Sequence, residues 1–132
     1  MSRFARMEEQ AIHGEREARA EAAVTLAVQM NAAALVVMTR SGQTARDVCK
    51  FRPQIPVIAF TPGPAVQRRL QLSFGILPFL IDFSADPEAT VSAAMQEAVH
   101  CGILTPGQRV VLVSDTKAHE MTVNTIQMRD IG

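Results

Sequence analysis

A chain of 132 residues fits one domain and is long enough to bury roughly two-thirds of its unfolded surface. Its 48% hydrophobic and 20% charged residues suit a compact globule, and its thirteen basic and thirteen acidic residues cancel. No bulk field therefore draws the chain to nucleic acid or to an anionic membrane, and any anion site has to be local.

The N-terminal Met1-Ser2-Arg3-Phe4-Ala5-Arg6 has no apolar signal core. No run reaches the ~20 apolar residues of a membrane span, so a cytoplasmic protein is expected. Cys49 and Cys101 stand isolated among apolar periodic positions, which predicts buried thiols of an intracellular protein rather than a disulfide.

Phe4, Met7, Ala11 and Ile12 recur at helical spacing among polar residues and predict an amphipathic first helix, broken at Gly14. A second helix is expected from about Glu15 to Met30, with Glu15 and Arg19 as a favourable pair four apart. From Ala22 onward it is apolar nearly all round, which argues burial against a sheet. Asn31 is the expected stop.

Strand and helix then alternate. Leu35 to Met38 reads as a strand and Thr44 to Phe51 as a helix. Ile55 to Phe60 is a second strand, followed by a helix from Ala65 to Leu72 and a short strand from Ile76 to Ile81. Asp86-Pro87-Glu88 is a helix start with a capping acid, proline at the first helical position and an acid in the first turn. That helix ends near Gly102. Arg109 to Val113 is a fourth strand, and Val123 to Met128 an edge strand paired antiparallel.

Such a pattern gives an α/β fold: a three-layer sandwich, a mainly parallel five-stranded sheet with its last strand antiparallel, and helices on both faces. The whole chain, 1–132, is one domain, with 1–30 a helical lead-in and 34–132 the α/β core. Ligands of such sheets bind outside the carboxyl ends of the strands. Three segments emerge on that edge: 39–44, 61–64 and 114–122.

The first is Thr39-Arg40-Ser41-Gly42-Gln43-Thr44. Read as a phosphate cradle, Ser41 and Thr44 donate hydroxyls, Gly42 lets the backbone approach a ligand and Arg40 adds charge. Read as a capping turn, the same hydroxyls satisfy the helix's own amides. The pattern alone leaves both open. It is neither a Walker loop nor a dinucleotide fingerprint.

Other candidates are weaker. Cys49 suits a core position better than an activated thiolate. His100-Cys101 lacks a third ligand for a metal site, and no metal or cofactor is expected. His13 and His119 read as surface residues, and Arg68-Arg69 as a solvated helix face in a chain without Trp or Tyr for base stacking.

An ordered series of strings runs along the chain: Thr39 to Arg46, then Phe51-Arg52-Pro53 with Pro56 to Pro62, Gly75-Ile76-Leu77-Pro78, the glycine-turn-strand run Gly102 to Val113, and Asn124-Thr125. Together they resemble the C-terminal domain of pyruvate kinase. The similarity runs from about Met7 to the C-terminus. It implies a small α/β unit that sits beside a catalytic barrel, forms a subunit interface, and in many members binds a sugar-phosphate effector. The effector phosphate would then lie on Thr39, Ser41, Gly42, Gln43 and Thr44. The family's second effector contact is a glycine-rich loop near the last strand. Here that segment is 114–122, without glycine and with two acids; Lys117, in place of a family arginine, and His119 are its candidates. The departure argues against bisphosphate binding and leaves a single-phosphate cradle intact.

The barrel's lysine, metal-binding carboxylates and threonine have no counterpart in this sequence, and phosphoryl transfer needs fixed cations and metal around the group. Catalysis by this chain alone is therefore not expected. The alternative from another class is a purely structural oligomerisation module.

Overall fold

The computed structural model describes the backbone of residues 3–118 and 121–132, and the side chains of 14–114 and 124–132. The first helix, α1 (Arg3–Gln29), is continuous where a break at Gly14 was expected. One glycine costs a helix about 1 kcal/mol, which the Glu, Arg and Ala residues around it outweigh. Its inner stripe is Ala20, Ala23 and Ala27, all buried. These small side chains let α1 lie close on the sheet. The expected burial against the sheet is thus met by this stripe, while the apolar positions off it stay open: Ala22 is exposed and Val28 is 61% exposed. A helix on a sheet has only one face to bury. Asn31 stops it as expected, at φ 52, with the Ala32 amide donating to the Ala27 carbonyl at 2.9 Å.

The core then runs β1 (Ala34–Met38), α2 (Gln43–Cys49), β2 (Val57–Thr61), α3 (Pro64–Gln71), β3 (Ile76–Leu80), α4 (Pro87–His100), β4 (Arg109–Ala118) and β5 (Met121–Asp130). The sheet order is β3-β2-β1-β4-β5. β1 pairs parallel with β2 and β4, and β2 with β3, while β4 and β5 are antiparallel. β1 is buried along its whole length, as the apolar run Leu35-Val36-Val37-Met38 requires of a central parallel strand.

Two cores flank this sheet, which completes the three layers expected. On one face Leu35, Val37 and Val111 pack with the α1 alanines, Val48 of α2 and Leu70 of α3. On the other, Val36, Ile58, Phe60 and Leu112 pack with Val91, Ala94 and Ala98 of α4.

The largest departure from expectation concerns 114–122. Read as a loop, its described residues 114–118 and 121–122 are instead strand: β1 ends opposite Ser114 at Met38, while Asp115 to Ala118 continue and pair with Met121 to Asn124. The β-branched Thr116, Thr122 and Val123 favour extension, and an antiparallel ribbon needs no third strand beside it.

At the opposite flank, the Ile81 amide donates to Thr61 at 3.0 Å. Alternation along β3 therefore turns the backbone of Phe79 toward β2 and that of Pro78 outward. The residue without an N–H sits on the open edge, where no partner needs one.

Candidate anion-binding loop

β1 carries the chain up through the middle of the sheet, and Thr39 continues it by donating its amide to the Phe60 carbonyl at 2.9 Å. The turn into α2 closes on Gly42, whose φ of 85 is a left-handed value that favours glycine. Its location demands one too: a Cβ there would lie 3.2 Å from the Leu70 side chain and 3.3 Å from Val66. α3 therefore packs directly against this loop.

The two hydroxyls at its mouth are engaged. Gly42 donates its amide to Thr39 Oγ1 at 2.8 Å, and Gln43 donates to Ser41 Oγ at 3.2 Å. Both oxygens act as acceptors there, which leaves each hydroxyl's own proton to point elsewhere. Thr44, 7% exposed, makes no side-chain hydrogen bond among the described residues. Two hydroxyl oxygens that hold the turn and a third hydroxyl free of such a bond thus share one loop.

Arg40 is exposed, with its guanidinium carbon 5.1 Å from the Phe83 ring centroid. This cation–π contact ties the loop to the segment between β3 and α4.

Gln43 heads a partly buried network that the sequence reading missed. Its Nε2 donates to Asp47 Oδ1 at 2.8 Å, and its Oε1 accepts from Arg46 Nη2 at 3.1 Å. Asp47, 4% exposed, also accepts from Arg16 Nε of α1 at 3.3 Å, with Lys50 Nζ 3.7 Å away. The expected Glu15–Arg19 pair does not form; among the described residues it is Arg16 that finds a carboxylate, on another helix. A signal was available, since Asp47 falls between Ala45 and Val48 on a buried helix face, where a carboxylate needs a partner.

Thr39, Ser41, Gly42, Gln43 and Thr44 are thus brought together, with Arg40 alongside. Lys117 lies on β4 opposite Thr122, its side chain outside the described residues. His119 and the side chain of His13 also lie outside them. Cys49 is half-buried on the core, and burial pushes its thiol up from the ordinary value, against any thiolate role. Cys101 is exposed, contrary to the buried thiol expected, because Gly102 turns the chain out there. It donates to Glu97 at 3.2 Å, a bond that raises its pKa together with some desolvation and the Glu97 charge. Neither thiol is activated.

A cleft of about 580 Å³ opens between α4 and the end of β5, floored by Val91, Met95, Val99 and Ile131. Two of its charged side chains are already committed. Arg129 grips Glu88 through two bonds of 2.7 Å, and Asp130 meets Arg109 at 2.9 Å.

Comparison with known proteins decides the family. The model describing the pyruvate kinase alpha/beta domain matches residues 17–128. This chain belongs to the pyruvate kinase alpha/beta domain family. It is similar to the pyruvate kinase of Clostridium acetobutylicum, at 36% identity over 68% of this chain and 19% of that protein. It is similar also to pyruvate kinase 1 of Saccharomyces cerevisiae, at 32% identity over 87% of this chain and 24% of that protein. Among solved structures, Cryptosporidium parvum pyruvate kinase in complex with ADP superposes with a TM-score of 0.81 at 27% identity, covering 93% of this chain and 26% of that one. The chain therefore spans about a quarter or less of the pyruvate kinases it matches. Among the described residues no helix is long and apolar enough to cross a membrane.

Proposed function

We propose that this pyruvate kinase alpha/beta domain is a regulatory and assembly unit. It binds a phosphorylated metabolite of the sugar-phosphate type in the 39–44 loop, self-associates through its helical faces, and works beside a catalytic pyruvate kinase barrel without transferring phosphoryl groups itself. The observation that carries the reading is the gathering of Thr39, Ser41 and Thr44 hydroxyls around Gly42 at the end of the central strand, in a family-matched fold. A phosphate oxygen entering there meets hydroxyl protons not committed to other acceptors, and charge-assisted bonds of this kind are about twice as strong as neutral ones.

Calorimetry with sugar phosphates on wild type and on a Ser41→Ala, Thr44→Ala double variant tests the assignment. Losing two such bonds weakens binding by about 2–5 kcal/mol, and equal affinity of the two proteins defeats it.

One observation favours a second reading. Because the Thr39 and Ser41 oxygens already accept from the Gly42 and Gln43 amides, these hydroxyls serve the turn itself, which suits a purely structural oligomerisation module. Crystals grown in excess sulfate with an empty loop, together with a stable oligomer by light scattering, select that reading.

A further inference from the structure

Asp47 is the one charged side chain among the described buried residues, and the phosphate reading does not use it. It stands between two things that do matter: Gln43 of the proposed anion loop and Arg16 of α1. We propose that the Arg16–Asp47–Gln43 chain is a regulatory latch, in which the seating of α1 sets the anion affinity of the 39–44 loop. This inference deepens the proposed function and rests on it.

Each link is a direct contact. Arg46 holds Gln43 Oε1 at 3.1 Å and Asp47 takes its Nε2 at 2.8 Å, so the amide group has one orientation that suits both partners. That fixes the first residue of α2, whose backbone amide lies on Ser41 at 3.2 Å. Asp47 holds this position only while its own charge is compensated. Arg16 supplies that compensation on Oδ2, and its side chain is only one-third exposed. Lys50, the other cation, is 54% exposed and stands farther off at 3.7 Å, so solvent weakens its share.

Arg16 also sits one helical turn before Ala20, at the head of the Ala20–Ala23–Ala27 stripe. It keeps its place on Asp47 only while that stripe lies on the sheet. Lifting α1 withdraws the guanidinium and leaves a desolvated carboxylate short of a donor. The carboxylate then draws on Gln43 and Lys50, and the loop loses its fixed shape. Coupling between sites is reciprocal, so an anion in the loop must in turn tighten α1.

The test uses the full 132-residue chain with inorganic phosphate as probe, by calorimetry and by amide hydrogen exchange. Arg16→Gln is expected to bind phosphate about three- to tenfold more weakly. Arg16→Lys restores part of the affinity by returning the charge, and Arg19→Gln on the same helix changes nothing. Phosphate slows amide exchange in residues 16–29 of wild type and fails to do so in Asp47→Asn, which keeps the shape of the side chain and removes its charge. Wild-type affinity in Arg16→Gln, or α1 protection that persists in Asp47→Asn, overturns the latch alone. Absence of phosphate binding by wild type overturns the proposed function together with it.

Discussion

Two strand-to-helix junctions open on the same edge of the sheet and are finished in opposite ways. At β3–α4, Asp86 caps the helix by accepting from the Glu88 amide at 3.1 Å, Pro87 opens it, and Glu88 adds a carboxylate to the first turn. Ser84 and Thr90 close the approach with a 2.9 Å bond from the Ser84 amide to Thr90 Oγ1. At β1–α2 the first turn holds no acid, the N-cap is a glycine without a side chain, and only neutral hydroxyls touch the amides. One junction carries its own negative charge. The other has positive backbone character with no carboxylate at its mouth, and it is the one we assign to an external oxyanion.

Breaking the bare junction has the largest expected effect on stability. Gly42→Val forces a β-branched residue into a left-handed conformation and drives it into Leu70 and Val66. The cost is about 2–4 kcal/mol, read from urea unfolding midpoints. Gly63 at the head of α3 has an ordinary φ of −98 and only a 3.5 Å contact to Val66. Gly63→Ala is therefore expected to stay within about 0.5 kcal/mol of wild type, and a comparable loss there removes the distinction.

Capping sharpens the comparison at the next level. Asp86→Ala removes a carboxylate cap and costs about 1 kcal/mol. Ser41→Ala removes a bond to a neutral hydroxyl rather than to a carboxylate and costs about 0.5 kcal/mol. Equal losses in thermal unfolding mean that both junctions serve only to end a helix.

The smallest effect is a pH signature confined to the acidic junction. The Arg129 hydrogen bond beside Glu88 holds its carboxyl below the ordinary value, against a little desolvation. A lowered folded-state pKa stabilises the fold above the unfolded value, and that contribution disappears as pH falls through the folded one. Unfolding followed between neutral pH and pH 3 is expected to show this loss in wild type and less of it in Glu88→Gln. Identical pH curves rule out the bidentate pair as a contributor.

The architecture was legible because its signals are periodic. Apolar runs marked the parallel strands, and Asp86-Pro87-Glu88 marked the start of α4 to the residue. The turn from β1 into α2 around Gly42 was legible too, although hydroxyls and a glycine after a buried strand suit a helix start as well as an anion seat. What escaped depends on distance in space. The Arg16–Asp47 pair joins positions 31 apart, and nothing local to Arg16 tells it from Glu15 or Arg19. The extension of β4 and β5 past β1 escaped too, because 114–122 reads as polar and turn-like until its cross-strand partners are known. Gly14 misled for the converse reason: a local helix weakener was read without the length of good helix around it.

The outward backbone of Pro78 has a consequence for how the molecule behaves in company. A polypeptide laid along β3 finds a rung missing halfway up the ladder, so templated growth of fibrils is obstructed on that flank. Replacing this one ring with an ordinary residue would complete the row of donors there without removing a hydrogen bond to β2.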